Sequence, residues 1–253
     1  MKAEMTLLFD IGNTHTHLGL ADDTRVVKQG DIPTLAWFGG GAAARIKQFI
    51  GKHEIGSVVL CSVVPRVTPL AKKFVRATWK TEALELNAKT VRGVGIDYPK
   101  PNSIGPDRLA NAVAARARYG TPVVVVDFGT AVTFDVVDAR GNYVGGIIAP
   151  GLAAMTNYLH EKTALLPKIE IREIKTAIGK STEEAMLAGA VHGYRGLVRE
   201  LISQLKRELR VKKLPVVATG GYAKLIAAKL PEISAVVPDL TLEGLRLVGQ
   251  AKV

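Results

Sequence analysis

Val123-Val124-Val125-Val126-Asp127-Phe128-Gly129-Thr130-Ala131-Val132-Thr133 is the stretch on which the fold turns. Four β-branched residues in a row predict a buried strand. The strand meets an Asp, then a Gly, then hydroxyl side chains, and returns to apolar residues. That order predicts a tight turn between two strands, with a carboxylate and two hydroxyls at its tip. Gly129 lets a phosphate approach backbone N–H groups without a Cβ in the way. A carboxylate in such a place can hold a metal ion, and Mg²⁺ prefers oxygen ligands. An ordinary hairpin uses the same residues, so the stretch takes its meaning from its company.

That company begins near the start of the chain, at Leu7-Leu8-Phe9-Asp10-Ile11-Gly12-Asn13-Thr14-His15-Thr16-His17-Leu18. Laying Asp10 on Asp127 brings Gly12 onto Gly129, Asn13 onto Thr130 and Thr16 onto Thr133. Both copies lie between apolar runs. A third element, Leu214-Pro215-Val216-Val217-Ala218-Thr219-Gly220-Gly221, reads as a short strand ending in glycines before a helix. Such an end suits close approach by a nucleotide, and a helix N-terminus favours anions. The three together resemble the phosphate 1, phosphate 2 and adenosine elements of the actin-like superfamily of sugar kinases and Hsp70 proteins.

The chain has 253 residues, enough for a sizeable core in one large or two small domains. Hydrophobic residues make up 47%, yet no run approaches the roughly 18 apolar residues of a membrane span. Met1-Lys2-Ala3-Glu4 leads straight into an expected strand with no signal-peptide pattern. The single cysteine, Cys61, excludes an internal disulfide and fits a reducing cytosol, so a cytoplasmic protein is expected. Cys61 lies in an apolar run and reads as a buried strand residue rather than a nucleophile. The net charge of +11 invites a nucleic-acid partner. The basic residues are dispersed, however, and the densest group, Lys206 to Lys213, falls at a helix end, where cations suit the dipole. A solvated basic surface that helps collect a polyanion such as ATP is the better reading, with no nucleic acid and no membrane as partners.

Periodicity predicts strands at Thr6–Phe9, His17–Ala21, Arg25–Lys28, Ser57–Ser62 and Ala83–Leu86, with helices at Gly41–His53, Pro69–Trp79 and Asp107–Tyr119. The theme then repeats. Strands are expected at Pro122–Val126, Val132–Asp138 and Tyr143–Ile148, a helix after Pro150, and one long helix over Thr182–Leu209. Strand Val216–Ala218, a helix from Tyr222, strand Ser234–Val237 and helix Leu242–Val248 complete the chain. An offset duplication of this kind predicts an α/β fold of two ribonuclease-H-like halves, residues 1–119 and 120–253, with a central cleft. Ligands in such sheets bind at the carboxyl ends of strands, where both Asp10 and Asp127 lie. Residues 88–104 form a polar, Pro- and Gly-rich loop, and so long a loop is usually functional or disordered.

The full motif set resembles one family. Asp10-x-Gly-Asn-Thr, Gly105-x-Asp-Arg, Asp127-x-Gly-Thr-Ala-x-Thr, Gly145-Gly-x-Ile-x-Pro-Gly151, Thr163-Ala-x-Leu-Pro167, Gly179-Lys-Ser-Thr-x-Glu-Ala-Met and Thr219-Gly-Gly are similar, in this order, to those of type III pantothenate kinases. The family usually has Ala where this chain has Pro106, a residue well tolerated in a first helical turn. The resemblance implies ATP-dependent phosphorylation of pantothenate to 4′-phosphopantothenate, the first step of coenzyme A biosynthesis. It implies Asp107 as general base, substrate contacts from Tyr98, Gly105, Pro106, Asp107, Arg108 and Thr182, and a homodimer. ATP would be bound by Asp10, Ile11, Gly12, Asn13, Thr14, His15, Thr16 and His17, with Thr130, Gly220 and Gly221. Asp10 would serve Mg²⁺, directly or through water, and Asp127 a monovalent cation, K⁺ or NH₄⁺. Read without the family, Asp107 is a helix-start acid, Arg108 a surface cation, Tyr98 a loop aromatic, Thr182 an N-cap and Asp127 a turn aspartate. His15 and His17 sit two apart on one strand face, solvent- or phosphate-facing. Two other functions share these residues: a regulatory protein on the same scaffold, which would have no use for Asp107 and Asp127, and a kinase with another small alcohol as acceptor.

Overall fold

Apolar residues fill Met5–Ile11 (β1) on both faces, with Leu7, Phe9 and Ile11 turned one way and Leu8 the other. In the computed structural model, which describes residues 4–251, β1 is the middle strand of a five-stranded sheet. β2 (His15–Ala21) and β3 (Val26–Pro33) follow by antiparallel pairing. Helix α1 (Gly41–Ile50) then carries the chain across to β4 (Ile55–Ser62), parallel to β1 on its other side, and α2 (Thr68–Trp79) leads to β5 (Leu84–Glu85). Ile46 and Ile50 of α1 and Ala71 and Val75 of α2 pack with Leu7, Phe9, Ile11 and Leu60 into one apolar layer. Each of these side chains larger than Ala contributes roughly 1.5–3 kcal/mol when fully buried.

Residues 88–104 are an ordered segment. They contain a short strand, β6 (Gly95–Ile96), paired in parallel with Asn142 and Tyr143, and a 3₁₀ turn at Pro101–Ser103. Helix α3 (Pro106–Tyr119) follows, with Pro106 at its first position.

A second unit comprises Thr121–Arg140 and Gly145–Pro238. Its strands are β7 (Val123–Phe128), β8 (Ala131–Val137), β9 (Asn142–Pro150, whose first residues belong to the first unit), β10 (Val216–Thr219) and β11 (Ala235–Val236). They are ordered β11-β10-β7-β8-β9. The first sheet reads β5-β4-β1-β2-β3 in the same sense, so the expected duplication is present down to the parallel strand beside each hairpin. Helices α4 (Leu152–Lys162), α5 (Thr182–Ala188), α6 (Tyr194–Glu208) and α7 (Ala223–Ala227) belong to this unit. The single helix expected over Thr182–Leu209 is instead α5 and α6 joined by a π-helical turn at Gly189–Gly193. Two glycines in five residues weaken the regular ladder there.

The last helix, α8 (Leu240–Gln250), belongs to the first unit together with Gly141–Val144 and the chain up to Gly120. It lies against α3 and on the face of β1 and β4 opposite α1 and α2. Leu242 and Leu8 both close on Gly19, and Gly249 meets Val59. The first sheet is thus covered on both faces.

Candidate active site

The turn after β1 is held from behind. Gly12 N–H donates to His15 O at 3.0 Å and closes it. Thr34, just past β3, donates from Oγ1 to the Gly12 carbonyl at 2.7 Å. Its hydroxyl also meets that of Thr16 at 3.1 Å, and Trp37 Nε1–H donates to Thr16 Oγ1 at 3.1 Å. Thr16, Thr34 and Trp37 are all buried, whereas Asn13, Thr14 and His15 are exposed at the tip. The hairpin is one residue longer than its counterpart: Asp10 pairs with His17, seven residues on, and Asp127 with Thr133, six on. A one-residue difference reverses side-chain faces. Thr16 therefore pairs with Ile11 and points into the core, and it is not the spatial equivalent of Thr133.

Asp10 itself points to the other face, the one covered further along by α3 and α8. Cys61, directly opposite on β4, is fully buried as expected and donates its thiol to Asp10 Oδ1 at 3.3 Å. Burial pushes the Asp10 carboxyl up to about 6; His17 and the Cys61 thiol pull against this, while Asp107 and Asp31 push with it. Asp107 is therefore near enough for its charge to bear on Asp10. It stands in the first turn of α3, and its Oδ1 accepts from Arg108 N–H at 2.9 Å. Burial raises its pKa above the ordinary 3.8, partly offset by that N–H and by the Arg108 guanidinium. Gly105 makes room for it, since a Cβ there would lie 2.5 Å from Asp107 Oδ1. Pro106 leaves the turn regular, with Leu109 N–H bonded to Gly105 O at 3.2 Å.

Beside Asp107, the Arg108 guanidinium lies 5.7 Å from the ring centre of Tyr143, and Tyr98 meets the same ring edge-on at 6.2 Å. Tyr143, 1% exposed, thus supports two of the expected substrate residues. Sequence reading missed it because an aromatic in a strand signals only core; the cue was the parallel pairing of Ile96 with it, which no local pattern reveals. Thr182 is the first helical residue of α5 and exposed, and the N-cap is Ser181, whose Oγ accepts from Glu184 N–H at 3.2 Å.

In the second unit the predicted turn between β7 and β8 is present at Gly129 and Thr130, both exposed. Thr219 of β10 pairs with Asp127 of β7. Gly220, at φ 89°, sits where a Cβ would come within 2.5 Å of Asp127 Oδ1 and 2.7 Å of the Phe128 backbone. Only glycine fits such a crossing. Gly221 follows, exposed, and Gly151 N–H donates to Thr130 O at 3.1 Å. Asp127, Thr130, Gly220 and Gly221 therefore gather at one end of this sheet, as Asp10, His17 and Asp107 gather in the first unit.

Among the described residues no three or more His, Cys, Asp or Glu side chains group to hold a metal. A Mg²⁺ ion here would draw most of its oxygens from phosphate and water, which is its usual habit beside a nucleotide. No helix among the described residues is long and apolar enough to cross a membrane.

Comparison with known proteins accords with this geometry. The profile of a family described as type III pantothenate kinase matches residues 6–204. A type III pantothenate kinase of Akkermansia muciniphila is 48% identical over 244 residues, covering 96% of this chain and 97% of its own length. That of Methylacidiphilum infernorum is 45% identical over 245 residues, covering 96% and 88%. Among solved structures, a Campylobacter jejuni protein assigned to the Baf family of transcriptional activators superposes with a TM-score of 0.61 at 18% identity, covering 96% of each chain. An inorganic polyphosphate/ATP-glucomannokinase from Arthrobacter does so at 0.51 and 15%, covering 98% and 100%. At these identities the structures speak for the fold alone, the actin-like pairing of ribonuclease-H-like halves.

Proposed function

The chain belongs to the type III pantothenate kinase family, and on that premise we propose how its residues divide the work. The reaction is the phosphorylation of pantothenate by ATP, giving 4′-phosphopantothenate for coenzyme A biosynthesis. Asp107 is the base. The observation that carries this role is its place in the first turn of α3, where it is largely buried, its pKa is raised by that burial and its charge bears on Asp10. The pantothenate hydroxyl oxygen attacks the γ-phosphorus and its proton passes to Asp107. The new P–O bond forms as the bond to ADP breaks. Tyr98 and Arg108, both seated on Tyr143, hold the acceptor, with the Arg108 guanidinium suited to the pantothenate carboxylate. Thr182 adds a hydroxyl from α5.

ATP is held by the turn from Asp10 to His17, chiefly through the exposed Asn13, Thr14 and His15. Thr16 keeps that turn in shape from the core side. Thr130, Gly220 and Gly221 serve ATP from the second unit. Asp10 holds Mg²⁺ directly or through water, and Asp127, beside the Gly220 turn, offers oxygen to K⁺ or NH₄⁺. When bound, the cations neutralise polyphosphate charge. The enzyme works in the cytoplasm as a homodimer. The exposed apolar side chains of the second unit support the dimer: Ile148, Tyr158, Leu165 and Ile178 are each more than half exposed, at 65, 62, 90 and 81%. Covering such side chains at a contact between two copies of the chain would remove apolar surface from water.

A coupled ADP-release assay over a panel of small alcohols tests the acceptor. Turnover confined to pantothenate is expected. Faster turnover of a sugar or another polyol would replace it as substrate.

A further inference from the structure

Three adjacent strands place Asp10, His17 and Asp31 in one cross-strand row, because Asp10 pairs with His17 and His17 with Asp31. Directly paired residues share a face of the sheet, so all three side chains lie on the face that carries Asp10. His17 Nδ1 meets Asp31 Oδ1 at 2.5 Å. The two side chains are 49% and 60% exposed, and an ion pair that open to water adds little to stability. Asp31 is a carboxylate in the same row as Asp10, on a face that has to receive a polyanion. Left unpaired, it would oppose that anion.

We propose that Asp31 is a positioning residue for nucleotide binding, holding the His17 ring so that its second nitrogen, Nε2, faces the phosphates of ATP. The proposal rests on the reading of Asp10–His17 as the phosphate turn. A carboxylate at Nδ1 keeps a proton on that nitrogen and leaves Nε2 as the atom available to a ligand. The strand bearing Asp31 is tied to the turn at further points: Thr34 N–H donates to Thr14 O at 3.0 Å and Thr34 Oγ1–H to Gly12 O at 2.7 Å. Asp31 thus fixes His17 from a strand that already holds the turn.

Calorimetric titration of MgATP, with pantothenate left out, into the wild type, Asp31→Ala, His17→Ala and the double variant tests this. His17→Ala is expected to weaken binding roughly tenfold, the size of one charge-assisted hydrogen bond. Asp31→Ala is expected to weaken it about 3- to 10-fold, within the usual coupling of neighbouring residues. The double variant should bind no more weakly than His17→Ala. An Asp31→Ala protein that binds MgATP as the wild type does would overturn the proposal. So would a full Asp31 loss that persists when His17 is already Ala. Wild-type binding of MgATP without turnover of pantothenate would instead sink the reading of the reaction and leave this one standing.

Discussion

Asp107→Asn separates chemistry from binding at a single atom. Asn keeps the shape and can still accept from Arg108 N–H, but it cannot take a proton. A drop in kcat of about 10²–10⁴-fold is expected, with ATP affinity by calorimetry nearly unchanged. The same residue sets a pH dependence. Its pKa in the folded protein is raised above 3.8 by burial, so the acid limb of kcat/KM should lie at higher pH than an unperturbed aspartate would set. For stability, a raised native pKa means that the folded chain holds the proton more tightly than the unfolded chain. Its stabilising contribution is full below the unfolded value and is lost as pH rises through the native one. Asp107→Asn should therefore melt higher than the wild type at pH 7, and the gain should vanish in acid. Asp127 makes a second prediction. Activity should collapse in sodium buffer stripped of K⁺ and NH₄⁺ and return when either is added. Undiminished turnover in that buffer would end the role given to Asp127. At this scale the sequence was most legible where a motif is local, as in the placing of Asp10 and Asp127 near strand ends and of Asp107 at a helix start. It was silent on Asp31 and Tyr143, whose partners come from strand pairing across tens of residues. It also misled on Thr16, because aligning letters cannot reveal that one hairpin holds an extra residue.

Among the elements, α8 carries the clearest mechanical load. Leu245 is fully buried in the first unit. Leu245→Ala should lower unfolding free energy by about 2–5 kcal/mol, read by denaturant titration. Near-wild-type stability would mean that α8 is peripheral to that core. The strands and most helices were legible from periodicity, often to within two residues at each end, because each buries one or both faces of a regular pattern. The exceptions have physical reasons. The π turn at Gly189–Gly193 has the composition of a weak helix rather than of a break. The polar segment 88–104 lacks alternation, and what orders it is a two-residue pairing with residues that follow much later.

At the scale of the molecule, the exposed apolar residues of the second unit predict self-association. Sedimentation should show a dimer at assay concentration, and Tyr158→Asp, which puts a charge on one of these exposed apolar positions, should shift it toward monomer. An active wild-type monomer would count against the dimer. The duplication was legible because two copies of one turn repeat in the sequence. The charge of +11 was a weaker guide. Arg195, nearly buried, forks onto Glu173 at 3.0 and 2.6 Å and caps carbonyls of Leu225 and Ile226. Arg246 is buried too, bonded to Glu243 and to the Asp23 carbonyl. Those cations serve the fold and leave the field to the others.

The return of α8 to the first unit bears on the order in which the protein comes into being. A ribosome releases the chain from its N-terminus, and domains usually fold in that order. Here the second unit is complete once Pro238 has emerged, while the first still lacks the helix that covers Leu8, Val59 and α3. The half made first is finished last. Every residue assigned to catalysis or binding is already synthesised by then, so a nascent chain stalled before Asp239 would carry the complete set while its first unit still lacked one of its walls.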